Sequence, residues 1–309
     1  MEFSFTGMRE KPSTGFAGAD SGSLRSRVTS DRARPDFELV TVQSGARSLR
    51  SLACGETFHP VIGPMAEARA LHVRGPRLLE RARALAGAMV IWDVGLGAAG
   101  NAIAALEALA AEGLGAEIHS FDATLAPLEF ARGEAAALGY LVPWLSAVEA
   151  LLAHGAWGDP ARGLRWVLHQ GDFPACAPAA PRPQAVFYDP YSARVNPELW
   201  TLESFARLRA WIGDEGECIL TNYTRSTAIR VTWLLAGFFV GRGAASGEKE
   251  QTSVATNRRE LLDDPLEGAW LERVARSVRS APRRAGEPAG GAISPADFAR
   301  LRAHPQFAR

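Results

Sequence analysis

Apolar residues along this chain gather in short runs that alternate with longer, partly polar stretches. The run Met89 to Trp92 stops at Asp93, crosses glycines at 95, 97 and 100, and enters an alanine-rich stretch that reaches Ala110. A continuous apolar run reads as a buried strand, the glycines as a tight turn, and the alanines as a helix. The same rhythm predicts strands over 117–122, 165–171, 184–188, 217–222, 238–241 and 251–256. Helices are expected over 125–138, 143–154, 197–211 and 227–236. Ahead of the central run, 38–42 alternates like a strand, 51–64 reads as an ordered, turn-rich loop, and 77–86 as a helix.

Strands separated by helices require right-handed crossovers and a parallel sheet. The last two strands have only a Gly-rich link between them, so they are expected as an antiparallel hairpin closing one edge. The expected fold is α/β and Rossmann-like, a seven-stranded, mostly parallel sheet with an antiparallel last strand, as in class I S-adenosylmethionine (AdoMet)-dependent methyltransferases. Residues 1–45 are rich in Ser, Gly, Arg and Pro and are expected to form a flexible arm. The main domain is then 46–280. The Pro-, Gly- and Arg-rich stretch 281–309, with a weak helix at 295–303, is expected to be a poorly ordered tail.

Charge adds little: 34 basic residues balance 34 acidic ones, so no whole-molecule field draws the chain to nucleic acid or membrane. Arg25, Arg27, Arg32 and Arg34 in the arm are diluted by Asp20, Asp31 and Asp36, which favours a solvated tail over a phosphate-binding one. The three cysteines, Cys54, Cys176 and Cys218, are far apart and lack metal-ligand spacing, so no structural metal is expected. The N-terminus lacks an apolar leader, and the run 231–240 is too short to span a bilayer. A soluble, cytoplasmic protein without membrane contact is expected.

The chemistry should lie where parallel strands end, because ligands of open α/β sheets bind outside those ends. Gly95, Gly97 and Gly100 would let a ligand approach the backbone at a helix start, which suits either a dinucleotide or AdoMet. Asp93 at the mouth of that turn would repel a pyrophosphate and attract the cationic amino group of AdoMet, which favours the latter. Asp122 is placed to accept both ribose hydroxyls, and Asp172 to accept from an adenine amino group with Phe173 beside the ring. Each acid has a competing use as a helix N-cap. Asp189, Pro190 and Tyr191 are the candidate catalytic turn, with Asp189 orienting a nucleophilic amine and accepting its proton; the competing reading is a structural turn acid. Glu56 and His59 are candidate substrate contacts, while His119, inside a strand, reads as packing.

Asp189-Pro190-Tyr191 resembles, without its second proline, the Asp-Pro-Pro-Tyr motif of amino-methyltransferases. More widely, GETFHPVIGPMAEA (55–68), DVGLGAAGN (93–101), SFDATLAPLEF (120–130), FYDPYSARVNPELW (187–200), IRVTWLLAGF (229–238) and EKEQTSVAT (248–256) resemble one family in order. It is the methyltransferase part of the MnmC-like tRNA 5-methylaminomethyl-2-thiouridine biosynthesis proteins, in stand-alone form. The resemblance implies AdoMet-dependent methylation of the aminomethyl group on a tRNA wobble uridine, with tRNA as partner. It maps the catalytic Asp to Asp189 and the cofactor residues to Asp93, Gly95, Gly97, Gly100, Asn101, Asp122 and Asp172. The family usually has Leu-Asp-Gly-Phe where this chain has Tyr-Asp-Pro-Tyr, which alters the acceptor pocket. The family's FAD-dependent oxidoreductase half has no counterpart here, so no flavin is expected and that chemistry would fall to a separate protein. The alternative expectation is an AdoMet-dependent methyltransferase with a small-molecule or protein acceptor.

Overall fold

A computed structural model describes residues 36–245 and 251–307. The arginines expected in a flexible arm, like Lys249, lie outside the described residues. The strands are β1 (Phe37–Thr41), β2 (Arg47–Ser51), β3 (Met89–Val94), β4 (Ala116–Asp122), β5 (Ala156–Asp159), β6 (Leu164–Gln170), β7 (Ala185–Tyr188), β8 (Ile219–Asn222), β9 (Phe239–Gly243) and β10 (Thr252–Thr256). β1 and β2 form a small antiparallel sheet, so the folded part reaches back to Phe37, inside the stretch assigned to the arm.

The other eight strands form one sheet in the order β5-β6-β4-β3-β7-β8-β10-β9. From β6 to β8 the five strands run parallel. β10 lies antiparallel between β8 and β9, which is the expected hairpin with its second strand inserted. The expectation of seven strands is corrected to eight. Gly155, at φ 73, ends the helix Leu145–His154 and turns the chain back as β5, antiparallel to β6. That strand has only four residues, and none of them is buried, so it carries no apolar run to betray it.

Successive residues of a strand face opposite sides of the sheet, and here each side has its own core. Ile91, Ile118, Trp166 and Phe187 pack under helix Gly100–Ala111 through Ile103 and Leu106. Trp92, Phe121, Tyr188, Phe205 and Trp233 build the opposite core. β3 lies at the centre between β4 and β7, which explains why five of its six residues are buried.

The second correction concerns 281–309, which is folded as far as Phe307 rather than poorly ordered. Ser294 caps helix Pro295–Arg302, accepting from Asp297 N, and Leu301 is fully buried. Arg284 grips the Asp297 carboxylate through both terminal nitrogens, at 2.7 and 3.1 Å. Gln306 then bonds the main chain of Val240 in β9. The prolines and glycines of this stretch serve turns between specific anchors. Helix Gly268–Arg276, which the sequence pattern passed over, precedes it.

Candidate active site

A cavity of about 560 Å³ opens at the carboxyl ends of β3, β4 and β7. Its rear wall is the turn after β3, and its front wall comes from the loop around residues 56–60 and the helix Pro64–Ala68. The glycines of the turn line the cavity, but the close approach they permit is first of all to protein. At Gly95 (φ +91) a Cβ would stand 2.7 Å from Asp189 O and 2.8 Å from Pro190 Cα. At Gly97 it would meet the Phe58 ring at 3.1 Å, and at Gly100 the Pro64 side chain at 3.2 Å. The glycines expected to admit a ligand to the backbone line the cavity, and each also makes room for a neighbouring segment that completes the site.

The strand-end acids divide into two groups. Asp122, Asp172 and Asp189 line the cavity together. Asp93 does not: it is fully buried behind the wall, on the Ile91 face of β3, and accepts from Ser120 Oγ at 2.7 Å. Its Oδ1 has no hydrogen-bond partner among the described residues. Burial pushes the Asp93 carboxyl up to about 8, opposed by the Ser120 bond and reinforced by Asp189 and Asp122. The expectation that Asp93 sits at the mouth of the turn is therefore corrected.

Asp122 accepts from Gly97 N at 3.0 Å and Thr124 N at 3.2 Å, tying the end of β4 to the glycine turn. Burial raises its pKa, against the lowering effect of these backbone N–H groups. Asp172 stands at the N-cap of the short turn Phe173–Cys176 but makes no side-chain cap bond, and its side chain is exposed at the cavity. Phe173 beside it is buried against Phe121 and Trp92. Asp189 follows β7 directly, held by its N–H to Val94 O at 2.9 Å. Its Oδ2 accepts from Asn101 Nδ2 at 2.7 Å, so the helix after the glycine turn positions this carboxylate.

The front wall brings His59 to the same place. His59 Nε2 lies 4.0 Å from Asp189 Oδ2, and Nδ1 lies 3.5 Å from Glu67 Oε2. Glu56 accepts from Ser192 N at 3.2 Å, from Ser192 Oγ, and from Arg194 Nη2 at 2.9 Å. Glu56 thus clamps the loop beyond Asp189 to the front wall as well as lining the cavity. Tyr191 packs edge-on against Phe58 at 5.4 Å, and Pro190 O accepts from Tyr223 Oη at 3.3 Å. Burial raises the pKa of both tyrosines.

Sequence reasoning did not assign Phe58, Glu67, Ser192 or Tyr223 to the site. Tyr223 was within reach of the rule that found the acids, since it directly follows β8, the next parallel strand. Phe58 and Glu67 carry no such signal, because their place depends on how a loop and a helix fold across the strand ends. His119 is buried in β4, 2.8 Å from His169 through Nδ1. Among the described residues no group of His, Cys, Asp or Glu is arranged to hold a metal ion.

The charge pattern of the cavity is one-sided. Glu56, Glu67, Asp122, Asp172, Asp189 and Glu198 line it, with neither lysine nor arginine among the described lining residues. Such a wall disfavours phosphate and favours cationic groups.

A family model described as S-adenosyl-L-methionine-dependent methyltransferase matches residues 161–258, a span that holds Asp172, Asp189 and Tyr223. Among solved structures the fold is similar to that of MNMC2 from Aquifex aeolicus. The two share 24% identity and a TM-score of 0.64, over 87% of this chain and 83% of that one. Further matches are a precorrin-6y C5,15-methyltransferase from Geobacter metallireducens GS-15 and TrmN from Thermus thermophilus. Both are 17% identical, with TM-scores of 0.35 and 0.36; they cover 59% and 62% of this chain and 84% and 52% of theirs. No curated protein matches. The family match agrees with the enzyme class and methyl donor expected from the sequence, and the Aquifex structure with the expected MnmC-like, Rossmann-like class I fold.

Proposed function

From the family match over residues 161–258 and the fold, we propose that the chain is an S-adenosylmethionine-dependent methyltransferase acting on a primary amine, the aminomethyl group of a tRNA wobble uridine. The observation that carries the amine is the wall of six carboxylates without a lysine or arginine among the described lining residues. An ammonium is attracted into such a cavity, and a phosphate is repelled.

The residues present suit the methyl donor. A cavity of about 560 Å³ is of the size that encloses a nucleoside-sized ligand. Asp122 and Asp172 are available to ribose hydroxyls and an adenine amino group, and Phe173 and the glycine turn to the flat and extended parts. When bound, AdoMet supplies a methyl carbon activated by an adjacent sulfonium, to which the acceptor nitrogen forms its new bond.

Asp189 is the residue that positions the acceptor. Asn101 fixes its carboxylate, and the Tyr223 bond to Pro190 O fixes the turn that follows. With donor and acceptor held in contact, alignment is the main source of rate. Arg225, exposed two residues beyond the wall residue Tyr223, leaves positive charge outside the cavity for the phosphates of a polynucleotide. The Aquifex structure carries the name MNMC2, in keeping with the MnmC-like sequence resemblance that implies a tRNA acceptor.

Mass spectrometry of wobble nucleosides from a deletion strain tests this reading. Accumulation of unmethylated aminomethyluridine is expected, and an unchanged nucleoside profile would overturn it. The balanced overall charge of 34 against 34 favours the second reading, a small-molecule or protein amine, and that result would select it.

A further inference from the structure

We propose that His59 is the general base of the transfer, taking the proton that the acceptor ammonium must lose, with Glu67 orienting its ring. This role rests on the amine reading above. An ammonium has no lone pair, so a proton must leave before nitrogen can bond to carbon. Asp189 alone is poorly suited to receive it, since an adjacent carboxylate favours the charged amine. An ordinary imidazole is the stronger base by about 2.6 pKa units, which makes the transfer correspondingly less uphill.

The geometry provides for the division of labour. Nδ1 faces Glu67 Oε2 at 3.5 Å and Nε2 faces Asp189 Oδ2 at 4.0 Å; a neutral ring with its proton on Nδ1, towards the nearer carboxylate, would turn the Nε2 lone pair to the Asp189 side. A nitrogen about 2.8 Å from both Asp189 Oδ2 and His59 Nε2 would see them about 90° apart, given their 4.0 Å separation, near the spread of two N–H bonds. One ammonium can therefore donate to both at once. In the step, the N–H bond facing His59 breaks, its electron pair stays on nitrogen, and the proton bonds to Nε2. The products are a neutral amine, still held by Asp189 through another N–H, and an imidazolium flanked by Glu67 and Asp189. Rotation of the amine about its C–N bond turns the lone pair to the electrophile, and the imidazolium returns its proton to water.

Two further observations point the same way. His59 is held at φ 47, in the left-handed region that a non-glycine residue adopts at a cost and that is concentrated at functional sites. His59 and Asp189 both line the cavity, so the space between them is open to an acceptor. The charged and titratable groups around His59 include, among the described residues, Glu67 on its own side of the site, His72 on the following turn, Asp93 of β3 and Asp189 after β7. Burial, and then His59 itself, pushes His72 down to about 3, so it does not compete for the proton.

The test uses full-length enzyme with tRNA from the deletion strain, following kcat/KM against pH, and calorimetry with S-adenosylhomocysteine. His59→Gln should lower kcat about 100-fold and abolish the acidic limb of the profile while leaving S-adenosylhomocysteine affinity within threefold. Glu67→Gln should move that limb to lower pH, because it removes a carboxylate that favours the imidazolium. NMR of ¹³C-labelled histidines should show the His59 signal, identified by its loss in His59→Gln, titrating at lower pH in Glu67→Gln. A His59→Gln enzyme with normal kcat and an unchanged limb would overturn the base role and leave the amine reading standing. Wild-type enzyme that binds S-adenosylhomocysteine yet leaves this tRNA unmethylated would overturn the tRNA reading, and this role with it.

Discussion

Asn101 Nδ2 donates to Asp189 Oδ2 at 2.7 Å, joining the first turn of the helix after β3 to the residue that follows β7, 88 positions along the chain. Two adjacent parallel strands thereby share one orientation device: the helix behind the glycine turn sets the carboxylate that faces the proposed acceptor. A bond to a charged group is worth about 1.5–3 kcal/mol, so Asn101→Ala should lower kcat/KM roughly 10- to 100-fold. Asn101→Asp, which sets a second carboxylate against the first, should lower it further. Steady-state kinetics on both variants, with circular dichroism to show an unchanged fold, checks the ordering.

Asp189→Asn keeps the shape of the side chain and removes its charge. Turnover should fall by about 100-fold or more, while S-adenosylhomocysteine affinity stays within about 1 kcal/mol of wild type, because the change falls on the acceptor side. Calorimetry and single-turnover methylation on the same preparation separate the two effects. A matching loss of affinity would move Asp189 to the cofactor side.

Gly95→Ala addresses the turn. The added methyl would overlap Asp189 O and Pro190 Cα, both backbone, at a φ of +91 that alanine adopts only under strain. The folded state should lose about 2–3 kcal/mol, read as a lower urea midpoint with an unchanged slope. Activity should fall with it, since relief requires Asp189 to move.

Three of the four strand-end acids that the sequence singles out share the cavity for a topological reason. Asp122, Asp172 and Asp189 were found because alternating strands and helices force the carboxyl ends of β4, β6 and β7 into one row. Asp93 obeys the same rule for position and departs from it in direction: the pleat puts it on the Ile91 side, where Ser120 receives it. Phe58, Glu67 and His59 come from a loop and a helix laid across that row, and no periodicity encodes where such a loop lands. β5 and the C-terminal anchor escaped because each depends on few buried residues.

The displaced acid has a consequence for pH. Folded Asp93 titrates near 8 because it is buried, whereas the unfolded residue titrates near the ordinary 3.8. Below that lower value both states hold the proton and the residue is neutral towards folding. As pH rises from about 4 to about 8, the unfolded state releases its proton first, so stability falls with pH and levels off above 8. Asp93→Asn removes this slope. Denaturation midpoints measured from pH 5 to 9 should decline more steeply for wild type than for the variant, and parallel curves would refute the assignment.

The final prediction concerns the segment that composition alone would leave unfolded. Gln306 is buried; its Oε1 accepts from Val240 N at 2.7 Å, and its Nε2 donates to Val240 O at 2.7 Å and to Leu266 O at 2.8 Å. One side-chain amide thus satisfies three main-chain groups at and beside β9, which otherwise lies at the edge of the sheet. Gln306→Ala leaves all three without that partner and should cost about 2–4 kcal/mol. Gln306→Glu keeps the acceptor for Val240 N but faces two carbonyls with a carboxylate, so its loss should be as large at pH 8 and smaller at pH 5, where a protonated acid can donate to one of them. Hydrogen exchange at the Val240 amide reads the effect locally: it should quicken in both variants. An unchanged rate would mean that the tail leaves β9 open to solvent and is no structural anchor.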